Sequence, residues 1–550
     1  MHQTFRQSMT WLHTWFGLVI GFILIVVFFF GALSVFDREI DRWAQPATRF
    51  APQPMPSFDH LLRPVFERIT EPDPDAVELA RSMVDGPLPE KYPVMDWSAY
   101  TTHRDPVLDT YVSFDVPNAR NPDDHVHGHQ TIDPRTGAQL SAGDLKIGSE
   151  FFYPLHYSLH LEWMELGYWI VGFAALSMLA ALVSGVVIHR KIFRELFTFR
   201  PQKQRQRVTL DLHNLTGVVA LPFHFFFAFT GLVIFAGIYF PVSETQLHPL
   251  VEAHEQAEAA ATGLPHDPAG VTAPLASVDA MVSDARRRWA ARGMGGDVGF
   301  LFVNHVGDAN GYVSIYRAGT DRIALTGQGI HYKASTGALI REDPPETAIA
   351  SVNEFLTGLH LQHFRHWLLR FLYLFGGLAG CVCIATGFLF FVEKRKQQHA
   401  RDGVAGARIV DALAIATITG TLIATLSMLV ANRLLPEHLA DRDEWQRNVF
   451  WLTWLASGIH AFWRTSVVQE GESAPAWREQ TILVAALALT APILNWLTTG
   501  DHLLATLQAN YWPVAGIDLF LLATSVTAGL VAHRLRRPAL AHTTLAAMKS

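Results

Sequence analysis

Apolar residues along this chain collect in long runs, near 11–36, 166–189, 210–240, 367–392, 409–433, 448–468, 480–498 and 512–533. A helix of such length crosses the hydrocarbon core of a bilayer. Eight membrane helices are therefore expected, nearly free of charge and none of them clearly broken. Two long polar segments separate the early runs, over 37–155 and 241–355. They carry Pro and Gly punctuation and alternating stretches such as YVSFDV and GYVSIYR. Alternation with period two is the mark of a half-buried strand. Each segment is expected to be a small α+β domain.

Charge orients the helices. RKIFRELFTFRPQKQRQR follows the second run, EKRKQQHAR the fourth and HRLRRP the eighth. The positive-inside rule puts all three in the cytoplasm. Both termini are then cytoplasmic and both polar segments lie on the outer side. FDREIDRW follows the first run where a removed signal peptide would need a small-residue cleavage site, so an uncleaved first helix is expected.

The two halves correspond in order. LHTWFGLV (12–19) matches LHNLTGVV (212–219), and FFFGALSVF (28–36) matches FAFTGLVIF (227–235) once Gly31 and Gly231 are aligned. TYVSF (110–114) matches GYVSI (311–315), and IDPRTGAQL (132–140) matches YKASTGALI (332–340). SLHLE (158–162) matches GLHLQ (358–362), and PMPSFD (54–59) matches PLASVD (274–279). Such self-similarity predicts a unit of helix, outer domain and helix used twice in one orientation, with a pseudo-twofold axis along the membrane normal. The parts are helix 1 (1–36), outer domain 1 (37–155), helix 2 with its basic loop (156–200) and helix 3 (208–240). Outer domain 2 (241–355), helix 4 (356–398) and four further helices (409–535) complete the chain.

Composition narrows the function. Half of the 550 residues are hydrophobic and 17% are charged, with a formal net charge of −7. No nucleic-acid partner follows from that balance; membrane lipid is the implied surrounding. The two cysteines, Cys381 and Cys383, sit inside an apolar run and read as helix packing. The 26 histidines are the unusual feature. An imidazole inside a bilayer needs a partner.

The internal correspondence pairs His13 with His213 near the cytoplasmic ends of helices 1 and 3. It pairs His160 with His360 near the outer ends of helices 2 and 4. His213 and His224 are eleven residues apart, which at about 100° per residue returns both to one helix face, about 16 Å apart along the axis. Neutral imidazoles bind haem iron axially, and a bundle of apolar helices supplies facing ligands and a dry shell. His189 competes with His13 and His213 as an inner ligand. On the outer side His156, His360, His363 and His366 crowd together. LHLQHFRHWLLR places the last three at i, i+3 and i+6 of an expected helix. A straight helix from His160 to His189 would span about 43 Å, too long for direct electron transfer between its ends. Gly167 is expected to break LHLEWMELG off as a short surface helix. His460 in the sixth run reads as structural, and DDHVHGH (123–129) as a polar outer loop. No Rossmann fingerprint, P-loop, GxSxG or HExxH is present, so catalytic side chains are not identified.

The paired LHTWFGL and LHNLTGV starts, the IDPRTGAQL and STGAL turns, and the LHLEW and LHLQH segments resemble the PepSY-associated transmembrane helix family over about residues 1–398. The resemblance implies an α-helical membrane protein with a four-helix haem-binding bundle and two periplasmic PepSY-like domains. It also implies two b-type haems and reduction of a ferric siderophore, or another ferric chelate, on the periplasmic face of a bacterial inner membrane, releasing Fe(II). The four C-terminal helices depart from the minimal family pattern. The expected inner haem ligands are His13 and His213, with His189 as alternate. The expected outer ligands are His160 and His360, with His224, His363, His156 and His366 as alternates. A quinol or a separate reductase protein would donate the electrons. The rival readings are a membrane-anchored binding or regulatory protein and a transporter, the latter disfavoured by parallel repeats and unbroken spans.

Overall fold

The computed structural model describes residues 4–51, 53–67, 74–84, 86–88, 93–102, 105–120, 125–140, 145–189, 200, 205–240, 262–265, 267–325, 327–345, 347–466 and 474–535. The chain divides into two compact units. A helical unit comprises Met1–Pro46, Gly143–Phe235 and Leu368–Ser550, and a sheet unit comprises Ala47–Ala142 and Ala236–Trp367.

The helical unit contains α1 (Phe5–Val19), α2 (Gly21–Ser34), α3 (Asp37–Ala44), α4 (Tyr153–Tyr157), α5 (Leu166–Ile188), α6 (Arg205–Val219) and α7 (Leu221–Ile234). It continues with α8 (Trp367–Arg401), α9 (Gly406–Leu434), α10 (Arg442–Ser466), α11 (Pro475–Thr499) and α12 (Trp512–Arg534). Among the described residues five helices, α5, α8, α9, α11 and α12, are long and apolar enough to cross a membrane, or up to seven spans if each of two bent pairs counts as one. Helix α10 has 25 residues but opens on Arg442, Asp443 and Glu444 and is not among them, which leaves fewer spans than the eight expected.

The bent pairs correct the expectation of unbroken spans. Helices α1 and α2 meet at 61°, and α6 and α7 at 63°. The breaks fall at Ile20 and Ala220, the same place in the two matching stretches. In the second break Pro222 removes an N–H that a continuous helix needs. In the first, Gly21 lets α2 approach α8: a Cβ there would lie 2.9 Å from the Phe388 ring. Phe22 stacks on that ring at 4.3 Å.

The added C-terminal helices are built around α9, of whose apolar window 61% is buried, against 28% in each other span. Their polar groups bond to α3 and to one another. Trp43 Nε1 donates to Asp518 (2.8 Å), Arg433 to the Ala44 carbonyl, and Asn432 to Gln446 (2.9 Å). Phe30, Trp43, Phe151, Phe152 and Phe450 fill the core between them. Polar bonds inside an apolar unit lock register, because an unpaired partner there is costly.

The sheet unit holds β1 (Val94–Tyr100), β2 (Leu108–Asp115), β3 (His125–Ile132), β4 (Val298–Asn304), β5 (Tyr312–Arg317), β6 (Gly329–Lys333) and β7 (Leu339–Glu342). These form one antiparallel sheet in the order β3-β2-β1-β4-β5-β6-β7. The two polar segments, read from sequence as two domains, thus share a sheet. Strand β1 pairs with β4 from Trp97↔Val303 to Tyr100↔Phe300, so neither leaves an open edge. One core joins both halves, with Trp97, Val112 and Phe114 beside Leu301, Val313 and Ile315. The helices Phe58–Glu67 and Val278–Ala291 contribute Phe58, Leu62, Met281 and Trp289 to that core.

Each matching turn closes alike. Gly137 and Gly337 both sit at φ +71°, their N–H groups bonded to the Asp133 and Lys333 carbonyls. The two helices cap each other. Asp279 accepts from Ser57 Oγ (2.5 Å) and the Phe58 N–H (2.8 Å); Asp59 accepts from Ser277 Oγ (2.6 Å) and the Val278 N–H (2.6 Å). DDHVHGH was expected to be a loop. Its last five residues lie instead on strand β3, with His127 bonded to Ser113 and the His129 ring tilted against Tyr111 at 4.7 Å. Asp123 and Asp124 lie outside the described residues.

Candidate functional site

The rings of His13 on α1 and His213 on α6 face each other, their centroids 6.0 Å apart and their planes at 78°. Each is held by the helix that closes its own half. His13 Nδ1 donates to the Ala181 carbonyl of α5 (2.9 Å) and also meets Ser184 Oγ (3.3 Å). His213 Nδ1 donates to the Cys383 carbonyl of α8 (2.7 Å), with Cys383 Sγ 3.5 Å away. A carbonyl only accepts, so the proton sits on Nδ1 and Nε2 keeps its lone pair. That is the tautomer a metal-binding histidine needs.

Glycines make room for both rings. A Cβ at Gly185 would lie 3.2 Å from His13 Cε1, and one at Gly387 would lie 3.4 Å from His213 Cε1. The sequence reading missed these supports. The signal was SGVV (184–187) against TGFL (386–389), a small hydroxyl residue and glycine at matching places in helices 2 and 4.

The spacing fits an iron porphyrin. With metal–nitrogen bonds of about 2 Å and rings of about 1.2 Å radius, two imidazoles holding one iron would stand about 6.4 Å apart between centroids, close to the 6.0 Å between His13 and His213. Perpendicular ring planes are compatible with axial ligation. Among the described residues no group of three or more His, Cys, Asp or Glu could hold a metal ion. A porphyrin supplies four of its iron's ligands itself, so two facing imidazoles are what it asks of a protein.

His189 ends the helix that carries Gly185, its N–H bonded to the Gly185 carbonyl. Deeper in the unit, His224 on α7 is fully buried, with Nε2 bonded to the Gly376 carbonyl (3.3 Å). Its Nδ1 is buried with no hydrogen-bond partner among the described residues, and the Phe28 ring stands edge-on 5.5 Å away. An orphaned buried polar atom calls for an explanation. His156 on α4 donates through Nδ1 to the Val27 carbonyl (2.8 Å), against Gly31, where a Cβ would lie 2.6 Å from the ring.

His160 is not on a helix. LHLEWMELG forms turns in which Leu159, His160, Met164 and Glu165 all have positive φ, and α5 starts only at Leu166. This corrects the expected surface helix. Gly167 lies inside the start of α5, where a Cβ would strike the Ser158 carbonyl oxygen. His160 stacks on Phe151 at 4.7 Å, its Nε2 bonded to the Phe151 carbonyl (2.9 Å). Burial holds its pKa below the ordinary imidazole value, and Arg447 adds to this against the Phe151 bond. Positive φ at a non-glycine residue is strained backbone, of the kind found at functional sites.

His360 belongs to the sheet unit, in the last turn of the helix Ala348–Leu361. That helix ends at Gln362 in the left-handed conformation. His363 and His366 therefore lie in the connection to α8 and not on the helix face expected for them. His460 on α10 joins Glu479 (3.2 Å) and Gln480 (3.2 Å) of α11, a structural tie between added helices.

The sequence profile of the PepSY-associated TM region matches residues 10–394. An uncharacterized protein of Pseudomonas aeruginosa is 26% identical over 307 residues, covering 53% of this chain and 74% of the relative. The matched stretch contains both helix bends, the sheet and the facing histidines, and stops before the four added helices: the chain belongs to the PepSY-associated transmembrane family.

Proposed function

We propose that this chain is a haem-b oxidoreductase of the bacterial inner membrane, carrying electrons across it to a ferric siderophore or similar ferric chelate. The observation that carries the reading is the His13–His213 pair, with both Nδ1 atoms bonded to carbonyls and the ring centroids 6.0 Å apart, so that the two rings would hold a haem iron between them. Bound haem would supply a one-electron iron couple in a dry, apolar setting. The residues of the chain do the rest. The Ala181 and Cys383 carbonyls fix the tautomer, Gly185 and Gly387 give the rings space, and the apolar spans exclude water. Two bends at corresponding places, two like turns and reciprocal caps support a duplicated unit; the basic segments after the second, fourth and eighth apolar runs support a periplasmic sheet unit and cytoplasmic termini.

Of the two ligands expected for a second, outer haem, His160 belongs to the helical unit and His360 to the sheet unit. Of the alternates, His224 has the strongest claim, since its Nδ1 has no hydrogen-bond partner among the described residues, whereas His160 Nε2 is bonded to Phe151. The donor is proposed to be a quinol or a reductase protein on the cytoplasmic side. One electron per iron converts Fe(III) to Fe(II), which the chelate holds weakly.

The experiment is a single-turnover assay in nanodiscs. Protein reduced with dithionite and desalted is mixed with a ferric siderophore, and Fe(II) is trapped by a colorimetric chelator. Oxidation of the protein with matching Fe(II) release is expected; a reduced protein that stays reduced with every ferric chelate would end the reading. The two bent spans favour one second reading, solute transport, because discontinuous helices line transporter sites. Uptake of labelled chelate into proteoliposomes without redox change would select it.

A further inference from the structure

The sheet unit contains a cavity of about 310 Å³ between the C-terminal end of the Val278–Ala291 helix, the end of β5 and the connection into β6. Its volume is within the range of small-molecule sites. Trp289, Leu325 and Ile330 give it an apolar wall. Arg317, the last residue of β5, lines it too and is only 4% exposed.

The setting of Arg317 is specific. Its Nη1 donates to the Gly295 carbonyl (2.8 Å) and to Asp321 (3.1 Å). Gly296, at φ +115°, lies against the guanidinium, where a Cβ would come within 3.2 Å of Nη1. A turn that only glycine adopts easily thus wraps one side of the group. The other edge, Nε and Nη2, is buried and has no hydrogen-bond acceptor among the described residues. Leaving donors of a buried cation unsatisfied is costly, and that edge is a planar fork matching a carboxylate.

The surrounding charges set the size of the missing anion. Arg292 and Arg322 also line the cavity, and so do Asp343 and Glu354. Arg292 is tied to Glu342, and Asp343 to His331 and Arg341. The local excess of positive charge is small, which suits a single negative charge better than a phosphate dianion.

We propose that this cavity binds a small organic monocarboxylate with an apolar, ring-sized body, its carboxylate on the Nε–Nη2 edge of Arg317 and Arg322 beside it. The inference stands on the sheet unit alone and is independent of the haem reading.

The test uses the full chain in nanodiscs and hydrogen exchange read by mass spectrometry. Benzoate is the probe, with inorganic phosphate and benzyl alcohol as controls. Millimolar benzoate is expected to slow exchange in peptides covering 293–298 and 328–331, with no such effect from either control. Arg317→Lys keeps the charge but loses the fork, and should weaken the benzoate effect about tenfold. Arg322→Ala alters an exposed side chain, so it keeps the test meaningful should the Arg317 variant misfold; it should weaken binding by severalfold. No slowing by benzoate, or equal slowing in Arg322→Ala and the parent, would overturn the proposal. Slowing by phosphate but not benzoate would overturn the carboxylate assignment.

Discussion

The reciprocal caps of the sheet unit allow a crosswise prediction. Asp279→Ala removes both acceptors that Asp279 gives the other helix, for Ser57 Oγ and the Phe58 N–H. A hydrogen bond to a charged group contributes about 1.5–3 kcal/mol, and loss of a helix cap costs about 1 kcal/mol. Ser57 and Asp279 are partly open to water, and Ser57 Oγ still caps the His60 N–H (3.1 Å), so the low end applies. The expected local loss at the start of Phe58–Glu67 is about 2 kcal/mol, or about 30-fold faster amide exchange. Asp279 also lies in the first turn of its own helix, where a negative charge helps by about 0.3–1 kcal/mol. Exchange at 278–280 should therefore rise less, by about twofold to fivefold. Asp59→Ala should give the mirror result, with 278–280 affected most. Hydrogen exchange of the full chain in nanodiscs measures both. If Asp279→Ala speeds its own helix start more than residues 58–60, the reciprocal capping is wrong.

Two further variants test other parts of the account. Gly387→Val adds methyl groups where even a Cβ touches His213 at 3.4 Å, and should lower bound haem or shift its α band, whereas Gly529→Val, in open space on α12, should leave the spectrum unchanged. In the sheet unit, the Arg288 bond holds the Asp284 carboxyl below the usual carboxylate range despite some burial, with Tyr332 and Arg287 adding to it. A lowered pKa stabilises the fold above the unfolded value of about 3.9 and loses that effect as pH falls through the folded value. Thermal unfolding should thus fall in midpoint below about pH 4, and Asp284→Asn should lower it at pH 7 and flatten that acid dependence.

Much of the architecture was legible because apolar period and internal correspondence are properties of the chain itself. The aligned LHTWFGLV and LHNLTGVV stretches carry His13 and His213, and the structure brings those rings together. The matched PMPSFD and PLASVD stretches proved to hold the reciprocal caps. The bends were missed because only Pro222 marks one of them, and Ile20 carries no breaker; packing of Gly21 and Phe22 on Phe388 decides it. The shared sheet was missed because pairing of β1 with β4 joins residues about two hundred apart, which no local pattern shows. His160 and His360 sit in matching sequence but in different local structure, one in a left-handed turn and one in a helix. Identical motifs with unequal neighbours do not fold alike.

The central claim is that His13 and His213 hold an iron porphyrin. The most direct measurement is a pyridine haemochrome assay with oxidised and dithionite-reduced spectra on the purified protein and its His13→Ala and His213→Ala variants, all from haem-replete cells. The account predicts sharp Soret and α bands at about two haems per chain in the parent and about one in either variant. A colourless parent, or a His213→Ala protein that keeps its full haem content, would contradict it.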